Sequence, residues 1–222
     1  MADRLVLIRH CDEEPDLPAW PNLARLHAWQ RSEGQRPLTS RGRARARDLA
    51  ERVAPWHPTL LLTSPLERAR ATAETLGAHL RLTPRPDPSL AEISFGLLRG
   101  FAEPRGLRAA LARIPLPRPL WPPLLRWCWL AGLTTGVDTP SAARQQAEDS
   151  ARRLATAEPD GTVAVVAHGV TLLYLLAALT DRRRAAPFRP SLLLRTGEYR
   201  VLGRHADRWT VLARGRASAN NV

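Results

Sequence analysis

Two histidines, two arginines and one carboxylate, carried by four segments far apart in the chain, are the parts needed to pass a phosphate through a histidine. The segments are Leu7-Ile8-Arg9-His10, Ser64-Pro65-Leu66-Glu67-Arg68-Ala69, Leu90-Ala91-Glu92-Ile93 and Val165-Val166-Ala167-His168-Gly169. A neutral imidazole such as His10 can attack phosphorus, because an unperturbed histidine titrates near ~6.5 and is largely unprotonated at neutral pH. Arg9 and Arg68 offer planar, permanently charged forks to the phosphate oxygens. A carboxylic acid on the far side, Glu92, can protonate the leaving oxygen and then, ionised, activate water. Phosphoryl transfer asks mainly for alignment and charge stabilisation, so the scheme needs no metal and no cofactor.

The elements around these residues explain how they could meet. Leu5 to Ile8, Thr59 to Thr63 and Thr162 to Ala167 are short, almost wholly apolar runs, the pattern of strands buried on both faces. Arg9-His10, Ser64 and His168 each come directly after one of these runs. In open α/β sheets ligands sit beyond the carboxyl ends of the strands, so a single fold brings all of them to one edge. His168-Gly169 also opens an apolar helix to about Leu179, whose free N–H groups and dipole favour an anion. Thr39 or Ser40 can cap a helix to about Val53, with Ala44, Leu49 and Ala50 inward. Ser64-Pro65 reads as the start of a helix to about Leu80, with proline in the first position. A short strand is expected over 82–85, a helix over 141–157, and a hairpin over 198–212 at the sheet edge, turning at His205-Ala206-Asp207. Strands alternating with helices argue a three-layer α/β/α sandwich around a mostly parallel sheet.

Length and composition bound the rest. At 222 residues and 44% hydrophobic, one good core is expected, in a single domain spanning 1–222 with an insertion at about 100–140 rich in proline and tryptophan. Helical pieces are expected at 24–31, 105–113 and 124–132. The net charge of +12 would suggest nucleic acid, but all 33 basic residues are arginine and they are spread along the whole chain. Solvated helix faces explain them better than a nucleic-acid surface. Cys11 and Cys128 form no metal-ligand spacing and no disulfide framework, which points to a reducing cytoplasm and no metal site. Residues 114–133 and 163–179 are apolar, but prolines, Arg118 and Arg126 interrupt the first and His168-Gly169 the second, so no membrane span is expected.

Taken singly, Arg9 and Arg68 read as surface arginines in so arginine-rich a chain, and Glu92 as a solvated loop acid. His27, His57, His79 and His205 have no comparable setting. Arg-His after one buried strand and His-Gly between another strand and an apolar helix outweigh the bland alternative when taken together.

Arg9-His10, Leu38-Thr39 with Gly42 and Ala46, Ser64 to Ala69 with Thr72-Ala73-Glu74, Leu90-Ala91-Glu92 with Phe95-Gly96 and Gly100, and Val165 to Gly169 resemble the histidine phosphatase superfamily, in its phosphoglycerate-mutase-like branch. The resemblance runs in the family's order from residue 4 to about 180. It implies that His10 is the phosphorylated nucleophile, that Arg9, Arg68 and His168 form the phosphate pocket, and that Glu92 is the proton donor. From their places at the strand ends, Ser64 and Gly169 are further candidate substrate-binding residues, and His168 is counted with His10 and Glu92 as catalytic. The family usually has Gly where this chain has Cys11, and often Asn where it has Asp16. Cys11 is expected to be a small buried hydrophobe, not a nucleophile. Asp12, Glu13, Glu14 and Asp16 either pair with nearby arginines or select a cationic part of the substrate.

The leading function is a metal-independent phosphatase acting on a phosphomonoester through phospho-His10, with a phosphorylated small molecule as the partner. The alternatives are a mutase that returns the phosphoryl group to substrate, and a non-catalytic anion- or protein-binding module. Residues 101–139 are Pro-, Leu- and Trp-rich and lack the basic, Tyr-containing segment of the mutases, which favours the phosphatase. Trp121, Trp127 and Trp129 suit an apolar leaving group, core packing or a homodimer contact equally.

Overall fold

Every residue of the first apolar run chooses a face. In a strand successive side chains point to opposite sides, and Leu5 and Leu7 enter one hydrophobic cluster while Val6 and Ile8 enter another. All four have no solvent exposure. A strand that buries both faces must lie inside a sheet covered on both sides, since each such aliphatic side chain gains roughly 1.5–3 kcal/mol by leaving water.

The computed structural model describes residues 2–14, 33–93, 97–98, 120, 134–135, 139–180, 193–206 and 208–218. The helical pieces expected at 24–31, 105–113 and 124–132, Asp16, the Phe95-Gly96 and Gly100 positions, and the three clustered tryptophans lie outside them. Packing divides the chain into two compact units, one of Met1–Glu14, Pro37–Glu92 and Arg144–Val222, the other of Pro15–Arg36 and Ile93–Ala143.

The first unit holds a six-stranded sheet built from β1 (Arg4–Arg9), β2 (Leu60–Thr63), β3 (Arg85–Pro86), β6 (Thr162–Ala167), β7 (Glu198–His205) and β8 (Arg208–Arg216). Their order across the sheet is β3-β2-β6-β1-β7-β8. β1, β2, β3 and β6 run parallel, and β7 and β8 add an antiparallel hairpin at one edge. Helices α1 (Ser40–Val53) and α2 (Glu67–Leu80) supply Leu49, Ala50, Val53, Ala73 and Leu76 to the cluster on one face. α3 (Pro140–Thr156) and α4 (Gly169–Leu179) supply Leu154, Leu172, Leu173 and Leu176 to the other. The α/β/α layering expected from the alternating pattern is present. In the second unit, β4 (Leu97–Leu98) and β5 (Thr134–Thr135) form a small antiparallel pair. Among the described residues no helix is long and apolar enough to cross a membrane.

Three local expectations need correction. α2 begins at Glu67, not at Ser64-Pro65, and Leu66 is its extended N-cap. The Ser64 hydroxyl is engaged elsewhere, so it accepts only the Leu66 N–H at 3.2 Å in place of capping a longer helix. The strand expected over 82–85 forms at Arg85–Pro86, where residues 85 and 86 pair with Leu62 and Thr63; Leu82 instead donates its N–H to Gly77 O at the end of α2. On α1 the inner face carries Arg45 and Ala46 with Leu49 and Ala50, while Ala44 is half-buried. Thr39 caps that helix through Gly42 N–H at 2.8 Å.

Candidate active site

Register sets the geometry of the site. β1 pairs with β6 so that Arg9 is opposite Ala167, and β2 pairs with β6 so that Thr63 is opposite Val166. The next residues out, His10, Ser64 and His168, therefore leave the sheet side by side. Their backbones continue the ladder for one more step, with His10 N–H donating to Ala167 O at 3.0 Å and Ser64 N–H to Val166 O at 2.9 Å. All three are buried.

The two imidazoles have different settings. His10 Nδ1 is 2.8 Å from the carbonyl oxygen of Cys11. A carbonyl only accepts, so Nδ1 carries the proton and Nε2 keeps its lone pair. Arg68 Nε–H approaches that lone pair at 3.3 Å. His168 is the N-cap of α4, and its Nε2 pairs with Ser64 Oγ at 2.7 Å. Its Nδ1 stands 3.6 Å from Glu92 Oε2. The ring centroids of His10 and His168 are 5.1 Å apart.

Arg68 is buried and Arg9 half-buried beside them. Arg68, on the first turn of α2, reaches Glu92 Oε2 at 3.9 Å through Nη2 and Glu13 Oε2 at 2.8 Å through Nε. Arg9 anchors one prong, Nη1, on Leu194 O at 2.7 Å, while its buried Nε has no hydrogen-bond partner among the described residues. Burial pushes the Arg9 guanidinium below its ordinary value, against the opposing pull of Glu92 and Glu13; an arginine so shifted still carries its charge. Gly169 serves this residue directly. A Cβ there would meet Arg9 Nη1 at 2.8 Å and Cζ at 2.9 Å, so the glycine leaves the guanidinium its seat against the start of α4.

Glu92 is held from two sides. Thr171, on the first turn of α4, donates Oγ1–H to Ala91 O at 2.8 Å. Three residues earlier, Gln146 Nε2 of α3 donates to Ser89 O at 2.8 Å, and the Ser150 hydroxyl meets that of Ser89 at 3.2 Å. The loop after β1 is clamped as firmly. Asp12 takes two bonds from Arg45 Nη1 at 2.8 and 3.1 Å and one from Thr196 Oγ1 at 2.7 Å. Burial raises the Asp12 carboxyl, but these bonds and the charges of Arg45 and Arg41 outweigh it and leave the group below its usual value. Gly42 lets α1 approach this loop, since a Cβ there would lie 2.1 Å from Asp12 O.

Cys11 turns into the core with Val6, Ile8 and Leu49. Its N–H donates to Thr72 Oγ1 at 3.1 Å, and Thr72 in turn donates to Arg68 O at 2.8 Å. Burial pushes the thiol up to about 12. The small-hydrophobe expectation for Cys11 fits this placement. All seven expected site residues converge on the edge of the sheet beyond β1, β2 and β6. Sequence reasoning missed Thr171 behind Glu92. The choice left open for the acidic run after His10 falls on pairing with arginine for Asp12, on Arg45, and for Glu13, on Arg68. Among the described residues no group of three or more His, Cys, Asp or Glu side chains is arranged to hold a metal ion.

The family profile of the histidine phosphatase superfamily (branch 1) matches residues 5–216, and the chain belongs to that family. Solved structures agree on the fold. Mycobacterial glucosyl-3-phosphoglycerate phosphatase superposes with a TM-score of 0.67 at 24% identity, covering 98% of this chain and 100% of that one. The α-ribazole phosphatase of Shigella flexneri gives 0.68 at 23% identity, covering 97% and 96%. A protein described as mycobacterial hydrolase 1 gives 0.70 at 24% identity, covering 98% and 100%. No curated protein matches the chain.

Proposed function

We propose that the protein is a phosphatase that hydrolyses a phosphomonoester of a small molecule through a phosphohistidine at His10, its catalytic residues lying in one domain into which the segment at about 100–140 is inserted. The observation that carries this is the His10 tautomer. With Nδ1 protonated toward Cys11 O at 2.8 Å, the nucleophilic lone pair is on Nε2 and faces Arg68.

In the first step His10 Nε2 forms a bond to phosphorus as the bond from phosphorus to the ester oxygen breaks. Arg9, Arg68 and the start of α4 stabilise the charge on the other phosphate oxygens. Glu92, protonated, gives its proton to the departing alkoxide. In the second step water attacks phosphorus, Glu92 takes the water's proton, and the electrons of the N–P bond return to Nε2. Ser64 orients His168 through the 2.7 Å contact, which turns Nδ1 toward Glu92 and the phosphate. Family membership and the named phosphatases of the same fold support hydrolysis; those relatives act on glucosyl-3-phosphoglycerate and α-ribazole phosphate, which favours a small phosphomonoester.

Hydrolysis of an aryl phosphate with excess chelator, compared between wild type and His10→Ala, tests the assignment. Turnover that survives chelation and disappears in the variant is expected, together with an acid-labile, alkali-stable phosphoryl label on His10. Unchanged turnover in His10→Ala would overturn it.

A further inference from the structure

Glu13 is an acid in the site with no part in the reaction above. Its neighbour Asp12 is taken up by Arg45 and Thr196, but Glu13 Oε2 lies 2.8 Å from Nε of Arg68. The same Nε–H points at the His10 lone pair at 3.3 Å. A phosphoryl group about to be attacked by His10 needs this part of Arg68, so it competes with Glu13 for one donor. The carboxylate cannot swing away with its backbone: residue 13 bridges to Leu38, and Glu14 N–H donates to Pro37 O at 2.8 Å. Its side chain is nevertheless 20% exposed, enough to leave Arg68 by rotation alone.

We propose that Glu13 is a displaceable internal ligand of Arg68 that sets the affinity of the site for phosphate. In the free protein the carboxylate holds Arg68 beside His10. Substrate displaces it, drawing on the binding of its alcohol portion as well as its phosphate. Inorganic phosphate lacks that portion, so after hydrolysis Glu13 regains Arg68 and the product leaves. An ionised Glu13 offsets half of the positive charge that Arg9 and Arg68 bring, and a like charge beside a dianion disfavours its retention. Glu13 is thus a specificity-determining residue that favours esters over free phosphate. This inference rests on the phosphate-site reading of the preceding section.

Calorimetric titration of inorganic phosphate into wild type, Glu13→Gln, Glu13→Ala and Arg68→Ala tests it without requiring turnover. Glutamine keeps the length and an accepting oxygen but removes the charge, and alanine serves if the glutamine variant folds poorly. We expect phosphate to bind about tenfold more tightly to Glu13→Gln, equivalent to ~1.4 kcal/mol, and to lose affinity in Arg68→Ala. Equal or weaker binding in the Glu13 variants, with Arg68→Ala still impaired, would overturn the role of Glu13 alone. Phosphate binding by none of the four proteins would overturn the phosphate site and this inference with it.

Discussion

Replacing Gly169 by alanine adds one methyl group, and the structure predicts that it damages catalysis while sparing the fold. The new Cβ would stand 2.8 Å from Arg9 Nη1, 2.9 Å from Cζ and 3.3 Å from Nε. Carbon and nitrogen in van der Waals contact need roughly 3.5 Å, so the guanidinium must move by about half an ångström or more. It cannot do so freely, because Nη1 is bonded to Leu194 O at 2.7 Å and the Nε edge of the group is buried. Losing or lengthening a charged hydrogen bond costs about 1.5–3 kcal/mol, and an arginine that no longer meets the phosphate loses a comparable share of transition-state stabilisation. The expected fall in kcat/KM is therefore between about tenfold and 100-fold. Stability should change little, since alanine is the better helix former by up to ~1 kcal/mol and offsets part of the strain. The assay is steady-state hydrolysis of an aryl phosphate beside a thermal melt. Full activity in Gly169→Ala would refute the idea that the glycine exists to seat Arg9; equal loss of activity and of folding would assign it to the core instead.

Four further outcomes are expected. Thr171→Val removes the hydroxyl that holds Ala91 O, so kcat should fall about three- to tenfold, the worth of one hydrogen bond, and Thr171→Ser should restore it; failure of serine to rescue would show that packing, not the bond, is at stake. In a Cys128→Ser background Cys11, whose thiol is pushed up to about 12, should resist iodoacetamide at pH 8 until the protein is unfolded, and rapid labelling of the native state would contradict its burial. The Asp12 carboxyl is held below its usual value, so its contribution to stability is present above the unfolded pKa of about 3.9 and is lost as pH falls through the folded one; urea melts should show Asp12→Asn less stable than wild type at pH 7 and the gap closing as the medium is acidified. Finally, turnover should rise from the acid side as His10 loses its proton and fall on the alkaline side as Glu92 loses its own, and a flat profile from pH 4 to 9 would exclude these roles.

The parts of this fold written in short-range pattern were legible. Apolar runs gave β1, β2 and β6, because a strand buried on both faces has no polar alternation to confuse it with a surface element. The site followed from those strands, since His10, Ser64 and His168 are each the first residue beyond one. Where a residue has a tertiary duty, local rules failed. Ser64-Pro65 has the grammar of a helix start, yet the serine is given to His168 and the helix waits until Glu67. Thr171 looks like an ordinary residue of an apolar helix, and nothing within α4 indicates that its hydroxyl reaches a carbonyl 80 positions away in the chain.

Arginine gives the sharper case. With 33 basic residues, all arginine, in 222, frequency assigns every one of them to the surface, and for most that is a sound expectation. Burying a guanidinium is costly unless its donors are met, so the arginines that fold inward beside the candidate site must be met by something. Arg45 is met by Asp12 and Thr196 O, and fixes the loop that follows His10. Arg68 is met by Glu13, with Glu92 and His10 near. Arg9 is met on one prong by Leu194 O and keeps a buried Nε without a partner among the described residues, a donor suited to an anion. The three lie within one turn of a strand end or on the inner face of a helix, positions that sequence could mark, but only their partners separate the clamp from the two proposed to bind phosphate. Those partners come from residues 12, 13, 92, 194 and 196, and it is the sheet order, with β6 between β2 and β1 and β7 on the far side of β1, that brings segments so distant in the chain to one edge.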